Sequence, residues 1–132
     1  MSEKCILVAE DDAVIRRSTI NALKPYGYCL LEAVDGEEAL EVSTKHHGDI
    51  DLLITNVFMP RMHGHELARK IKQDRPNICI LIVSGMHERE FPGEAFHLSD
   101  SLLKPFAPEE LVRKVRALLP PTDLAKHQRS EG

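Results

Sequence analysis

The sequence predicts an α/β fold: a doubly wound, five-stranded parallel sheet in a (βα)5 series. Three observations predict it. Short apolar runs alternate with helical patterns along the chain, which implies parallel pairing and right-handed crossovers. The runs are apolar throughout rather than every second residue, as in a sheet covered on both faces. Stop signals such as Pro25-Tyr-Gly27, Gly48 and Pro76 separate the elements.

Taken in order, Cys5-Ile-Leu-Val-Ala9 is an apolar run bounded by charge and reads as a buried strand. From Ala13 to Lys24, Val14, Ile15, Ile20 and Leu23 recur at near-helical spacing, and Pro25 and Gly27 stop the helix. Tyr28 to Ala33 is the second strand. Asp35 caps the next helix, with Glu38 three positions on in a capping-box-like arrangement. That helix carries Ala39, Leu40 and Val42 and ends near His46 to Gly48. Leu52 to Ile54 is the third strand, and His65 to Gln73 the third helix. Ile78-Cys-Ile-Leu-Ile-Val83 is the most continuous apolar run and reads as a central strand. The 86–98 segment holds Pro92-Gly93, and proline inside a helix costs about 3 kcal/mol, so a short or broken helix is expected there. Ser101-Leu-Leu103 is a short fifth strand. Pro108 to Leu119 is the last helix, with Pro108 in its first turn and Glu109 and Glu110 favoured by the helix dipole. Residues 4–119 are expected to form one domain. The 120–132 tail has no apolar periodicity and reads as linker, frayed helix or expression remnant.

Bulk composition narrows the function classes. The 132 residues suit one domain able to bury roughly two-thirds of its unfolded surface. Net charge is −4 from 17 basic and 21 acidic side chains, with no basic cluster to mark a nucleic-acid surface. No apolar run approaches a membrane span of about 18 residues, and the N-terminus lacks a signal-peptide pattern. Cys5, Cys29 and Cys79 form no Cys-x-x-Cys pair and read as reduced, small buried hydrophobes in a cytoplasmic protein. His63-Gly-His65 reads as a surface pair, since no Cys or second acidic ligand lies nearby, and His46-His47 reads as the polar end of a helix.

In a doubly wound sheet, ligand chemistry collects at the carboxyl ends of the strands. The polar residues there are Glu10-Asp11-Asp12, Asn56, Ser84-Gly85 and Lys104-Pro105. Four loops, dozens of residues apart, thus converge on one crevice. Asp12 is the residue placed to cap the first helix.

From Lys4 to about Leu119 the chain resembles the receiver domains of bacterial response regulators. The resemblance rests on the acidic cluster, the Met59-Pro60-x-Met62-x-Gly64 turn, Ser84, and Leu103-Lys104-Pro105-Phe106. It implies the flavodoxin-like strand order 2-1-3-4-5. It implies that Glu10, Asp11 and the Phe58 backbone carbonyl hold Mg²⁺ together with the residue at position 56. Ser84 would donate to a phosphoryl oxygen, and Lys104 would pair with the acceptor carboxylate and then with the phosphoryl group. The family places an Asp acceptor where this chain has Asn56. An amide is no oxygen nucleophile toward phosphorus, and it removes one negative metal ligand, so weaker Mg²⁺ binding and no acyl phosphate are expected. Repair by deamidation is slow beside the branched Val57.

Other departures accompany this one. Ser101 stands where the family has Tyr or Phe three residues before the lysine, and Pro92-Gly93 interrupts the 86–119 signalling face. Gly85 keeps the small residue usual after the hydroxyl. Two origins fit Asn56: a natural degenerate receiver, which the other departures favour, or an engineered change in a phosphorylatable one. The expectation is a non-enzymatic, cytoplasmic signalling module. Its partners would be a histidine kinase or phosphotransfer protein, with an effector on the 86–119 face. From other classes, a phosphoryl-transfer enzyme would show a nucleophilic Asp or Cys at a strand end, and the Glu10-Asp11-Asp12 context of Asp11 lacks an Asp-x-Asp pair. A transcription factor would need a DNA-binding domain elsewhere.

Overall fold

A computed structural model describes residues 3–85 and 100–120. Its sheet contains β1 (Cys5–Ala9), β2 (Cys29–Ala33), β3 (Leu52–Asn56), β4 (Cys79–Ser84) and β5 (Asp100–Leu103). All neighbours pair in parallel, in the order β2-β1-β3-β4-β5. The helices are α1 (Ala13–Leu23), α2 (Gly36–Lys45), α3 (Gly64–Asp74) and α4 (Pro108–Leu118). Fold class and strand order are those expected. The broken helix expected over 86–98 and the tail over 121–132 lie outside the described residues.

The apolar strands explain the layers. Successive side chains leave a strand on opposite faces. Leu7, Leu53, Ile80 and Ile82 therefore pack with Ala39, Leu67 and Ile71 of α2 and α3. Their neighbours Ile6, Val8, Leu52, Leu81 and Val83 pack with Ile20, Leu23, Leu111 and Val115 of α1 and α4. Each fully buried Leu or Ile contributes about 1.5–3 kcal/mol relative to exposure. The edge strands are the exceptions: β2 has only Ala33 fully buried, and Ser101, Leu102 and Leu103 of β5 are half-buried.

The helix signals act mostly as read. Asp12 Oδ1 accepts from the Val14 and Ile15 amides, and Asp35 Oδ1 from that of Glu38. Glu38 reaches back to the Val34 amide. Two details differ. Val14, assigned to an apolar stripe, is 79% exposed, because the buried side of α1 runs through Thr19, Ile20 and Leu23. The helix also tightens into a 3-10 turn, Lys24–Tyr26, before Gly27 (φ +81°) ends it. Gly27 can adopt this left-handed backbone because it lacks a Cβ.

The entry to α3 is the tightest packing near the sheet's carboxyl edge. The Gly64 amide donates to the Val57 carbonyl at 2.7 Å. A Cβ at Gly64 would collide with the Asn56 carbonyl oxygen and lie 3.1 Å from Thr55 Oγ1. Backbone cannot yield as a side-chain tip can. Gly64→Ala is therefore expected to lower stability by about 1–3 kcal/mol, the range for overpacking. Urea unfolding checks this, and an unchanged midpoint would show that α3 shifts freely.

Candidate functional site

Strand register brings the four loops level. Ala9 pairs with Thr55, Asn56 with Val83, and Ser84 with Leu103. The ladder runs on through the Lys104 amide, which donates to the Ser84 carbonyl at 2.7 Å. Glu10, Asp11, Asn56, Phe58 and Lys104 consequently meet at one edge of the sheet, with Ser84 at the neighbouring strand end.

Asn56 lies at the centre and is 8% exposed. Its Nδ2 faces three oxygens: Phe58 O at 3.0 Å, Asp11 Oδ1 at 3.1 Å and Glu10 Oε2 at 3.3 Å. Its Oδ1 faces two donors, the Val57 amide at 3.0 Å and Lys104 Nζ at 3.1 Å. Only this orientation satisfies the surroundings. Rotating the amide by half a turn would set an NH₂ against two donors and an oxygen against three acceptors.

Charge around the amide is arranged asymmetrically. Glu10 is buried and Asp11 exposed. Burial raises the Glu10 pKa above its ordinary value, opposed by the Asp12 amide bond and the Lys104 charge, while Asp11 adds to the rise. Lys104 Nζ stands 3.7 Å from Glu10 Oε1. Arg16 Nη1 donates to the Glu10 carbonyl at 2.8 Å and its Nε to Glu32 at 3.2 Å, which pins the exit of β1. Ser84 is 1% exposed, and its Oγ has no hydrogen-bond partner among the described residues. Leaving a buried hydroxyl unmade costs about 1–3 kcal/mol.

The oxygens that resemblance would give to Mg²⁺ thus converge on a hydrogen-bond donor. Two carboxylates and a carbonyl suit a hard cation. The fit fails at Asn56, whose NH₂ points to where an ion would need ligand oxygen. As arranged, the residues present do not fit Mg²⁺.

The loop after β3 frames the crevice. Phe58 turns its carbonyl inward while its ring, 41% exposed, meets His63 edge-on at 5.0 Å. Arg61 adopts a left-handed backbone (φ +70°) and grips Asp35 Oδ2 from Nη2 at 2.6 Å. Met62 packs on Gly36, where a Cβ would lie 2.7 Å from the Met62 Cβ. The Lys104–Pro105 peptide is cis. Ser101 is half-buried and pairs with Ile82 in the ladder.

Some sequence expectations need correction. His65 is not a surface residue: it is 8% exposed, and burial, with the His63 charge beside it, lowers its pKa. Cys79 packs against the α1 and α4 core as expected, but Cys5 and Cys29 are not separate hydrophobes. Cys5 and Cys29 are paired in register with their sulfurs 2.8 Å apart, and His46 Nε2 lies 3.8 Å from Cys5 Sγ. Arg16 and Arg61 were not singled out, since no local pattern marks an arginine that acts across strands. The cysteine pair did leave a signal: each stands four residues before the alanine that ends its strand.

Similarity to known proteins agrees with the architecture. The family model for the response regulator receiver domain matches residues 6–116. The chain is 34% identical over 122 residues to the sensor kinase CckA of Brucella abortus, covering 89% of this chain and 13% of that protein. It is 34% identical over 129 residues to the response regulator MprA of Mycobacterium ulcerans, covering 96% and 55%. The chain spans about half or less of the length of these curated relatives. Among solved structures, the receiver domain of AraT, a response regulator from Geobacillus stearothermophilus, superposes with a TM-score of 0.81 at 30% identity, covering 96% of this chain and 99% of that one.

The loop geometry yields a pH test. The Glu38 amide bond and the Arg61 guanidinium hold the Asp35 carboxyl below its ordinary value of 3.8. The unfolded chain therefore takes up this proton first. The contribution is present above the ordinary carboxylate pKa and is lost as pH falls through that value to the folded one. Asp35→Asn should remove that part of the acid sensitivity. Urea unfolding of both proteins from neutral pH down to about pH 3, below the ordinary carboxylate value, checks this. Parallel stability curves would show that Asp35 is not held ionised by these bonds.

Proposed function

The chain belongs to the response regulator receiver domain family, and we propose that it signals by docking rather than by accepting a phosphoryl group. The observation that carries this reading is the set of three bonds from Asn56 Nδ2 to Glu10, Asp11 and the Phe58 carbonyl. An Asp acceptor would need a cation to hold three carboxylates together; here an uncharged donor does so. The amide nitrogen lone pair is delocalised and the amide oxygen carries no full charge, so neither is a competent nucleophile for phosphoryl transfer. Mg²⁺, when bound in such sites, neutralises charge on the transferring group. In this chain Asn56 satisfies Glu10, Asp11 and Phe58 without it, and Lys104 is satisfied by Asn56 Oδ1 and by Glu10.

On this reading residues 4–119 form the receiver unit, located in the cytoplasm. The docking partner is a histidine kinase or phosphotransfer protein, and the contact runs through α1 and the crevice loops. A shallow apolar trough between α1 and the start of α4 supports it, with Ala13, Val14, Ala22, Pro108 and Arg17 among its lining residues. Val14, exposed on α1, supplies an apolar contact that folding leaves unused. The effect on signalling arises from binding, by population shift, without covalent chemistry. Among the described residues no helix is long and apolar enough to cross a membrane.

Two experiments test the site. Incubation with acetyl phosphate and Mg²⁺, followed by intact-mass analysis, should leave this chain unlabelled. Asn56→Asp should label if Ser84, Lys104 and the acidic pair are competent. Stable labelling of the Asn56 form would sink the proposal. If neither form labels, the departures beyond Asn56 also block the chemistry. In thermal denaturation, Asn56→Asp should be less stable than the parent in chelator, because three carboxylates then crowd without a donor. Mg²⁺ should raise its Tm by several degrees while moving the parent little, as binding to the folded state alone requires. Equal Mg²⁺ responses would contradict the poor fit described above.

A further inference from the structure

At the opposite end of the sheet, where β1 and β2 begin, a second group of chemistry-bearing side chains meets. We propose that Cys5, Cys29 and His46 form a site for one soft divalent cation of the zinc class, with two thiolates and one imidazole as ligands and a fourth position open to water or a carboxylate.

Topology makes the pair. Cys5 and Cys29 are register partners on adjacent parallel strands, so their side chains leave the sheet on the same face. Their sulfurs lie 2.8 Å apart, and the imidazole Nε2 of His46, just past the end of α2, is 3.8 Å from Cys5 Sγ. All three ligand atoms fall within 4.8 Å of one another. Zinc bonds of about 2.3 Å to sulfur and about 2.0–2.1 Å to nitrogen set tetrahedral ligand atoms roughly 3.5–3.8 Å apart. The sulfurs, 2.8 Å apart, must part by about 1 Å to receive an ion between them.

The surroundings hold the ligands in place. The His46 amide donates to the Val42 carbonyl at 3.0 Å. Arg75 fixes the following turn, donating to Ser43 Oγ and the carbonyls of Ser43, His46 and Gly48 at 2.8–3.1 Å. The Cys5 amide donates to Asp51 Oδ2 at 2.8 Å. Such outer bonds orient metal ligands. Glu3, Asp49 and Asp51 line the cleft over the cluster with Lys4 the cation among its lining residues, so its field favours a positive ion. Without an ion, burial and the neighbouring Cys29 push the Cys5 thiol up to about 12. A bound cation reverses that balance. Two thiol protons leave to water as two sulfur–metal bonds form, and no electron is transferred.

Ligand softness selects the ion. Thiolates favour zinc over Mg²⁺ or Ca²⁺. A disulfide between the cysteines would use both sulfurs but give His46 no role. Metal binding uses all three groups and fastens the edge strand β2 and the end of α2 to β1.

The test uses the full chain, reduced with a phosphine and stripped with chelator, then titrated with Co²⁺ as the spectroscopic probe and competed with Zn²⁺. One equivalent of Co²⁺ should give a thiolate-to-metal charge-transfer band and the visible bands of a tetrahedral ion, both abolished by Zn²⁺ and not by excess Mg²⁺. Even loss of an outer partner costs 10–100-fold in metal affinity, so Cys29→Ser and His46→Gln should each weaken binding at least about tenfold. Both residues are half-buried, and circular dichroism of each variant checks that it folds. His63→Gln should bind as the parent does. Absence of the charge-transfer band, or unchanged affinity in both ligand variants, overturns the proposal. So does a protein that stays two hydrogens light under phosphine and takes up no cobalt, because its sulfurs are then joined to each other.

Discussion

The carboxamide of Asn56 has a donor end facing three oxygens and an acceptor end facing two N–H groups. The crevice depends on that polarity. Glu10 and Asp11 approach each other because a donor lies between them and Phe58. Lys104 is drawn toward the strand ends by Asn56 Oδ1 as well as by Glu10. The carbonyl of the same residue fixes the approach of α3, since only glycine at position 64 clears it. Side chain and backbone of one residue thus set the spacing of β1, β3, β5 and α3 around the crevice.

The electrostatic ledger is local rather than global. A buried carboxylate is costly unless bonded. Glu10 accepts from the Asp12 amide and from Asn56, and has Lys104 nearby. Burial still leaves it harder to ionise than an exposed glutamate. Asp35, equally hidden, goes the other way because two specific donors outweigh its burial. Ser84 stands apart: its hydroxyl is enclosed and unanswered among the described residues, a standing cost that a fully satisfied core would not carry.

Much of the fold was legible because two periodicities dominate. Apolar runs and the caps Asp12 and Asp35 gave nearly every described element, and chain order with parallel pairing placed Glu10, Asn56, Ser84 and Lys104 at one edge. What stayed hidden needed cross-strand distance. Which way the Asn56 amide turns depends on five neighbours from three loops. Val14 fitted a helical spacing but missed the buried side, because a short helix allows more than one stripe. His65 reads as a surface histidine in the first turn of the third helix, but it lies on the side of α3 that packs inward with Ala68 and Ile71. Cys5, Cys29 and His46 are separated by 24 and 17 residues and meet only through register between β1 and β2 and the return of α2.

The near-identity in shape of an amide and a carboxylate has a kinetic consequence. Under the proposed function, a partner meets a surface contoured like that of a reactive receiver and leaves with its phosphate intact. Such a chain is a reversible competitor, not a sink. Its influence would scale with its concentration and residence time on the partner, fade on dilution, and leave no covalent memory to be erased by hydrolysis.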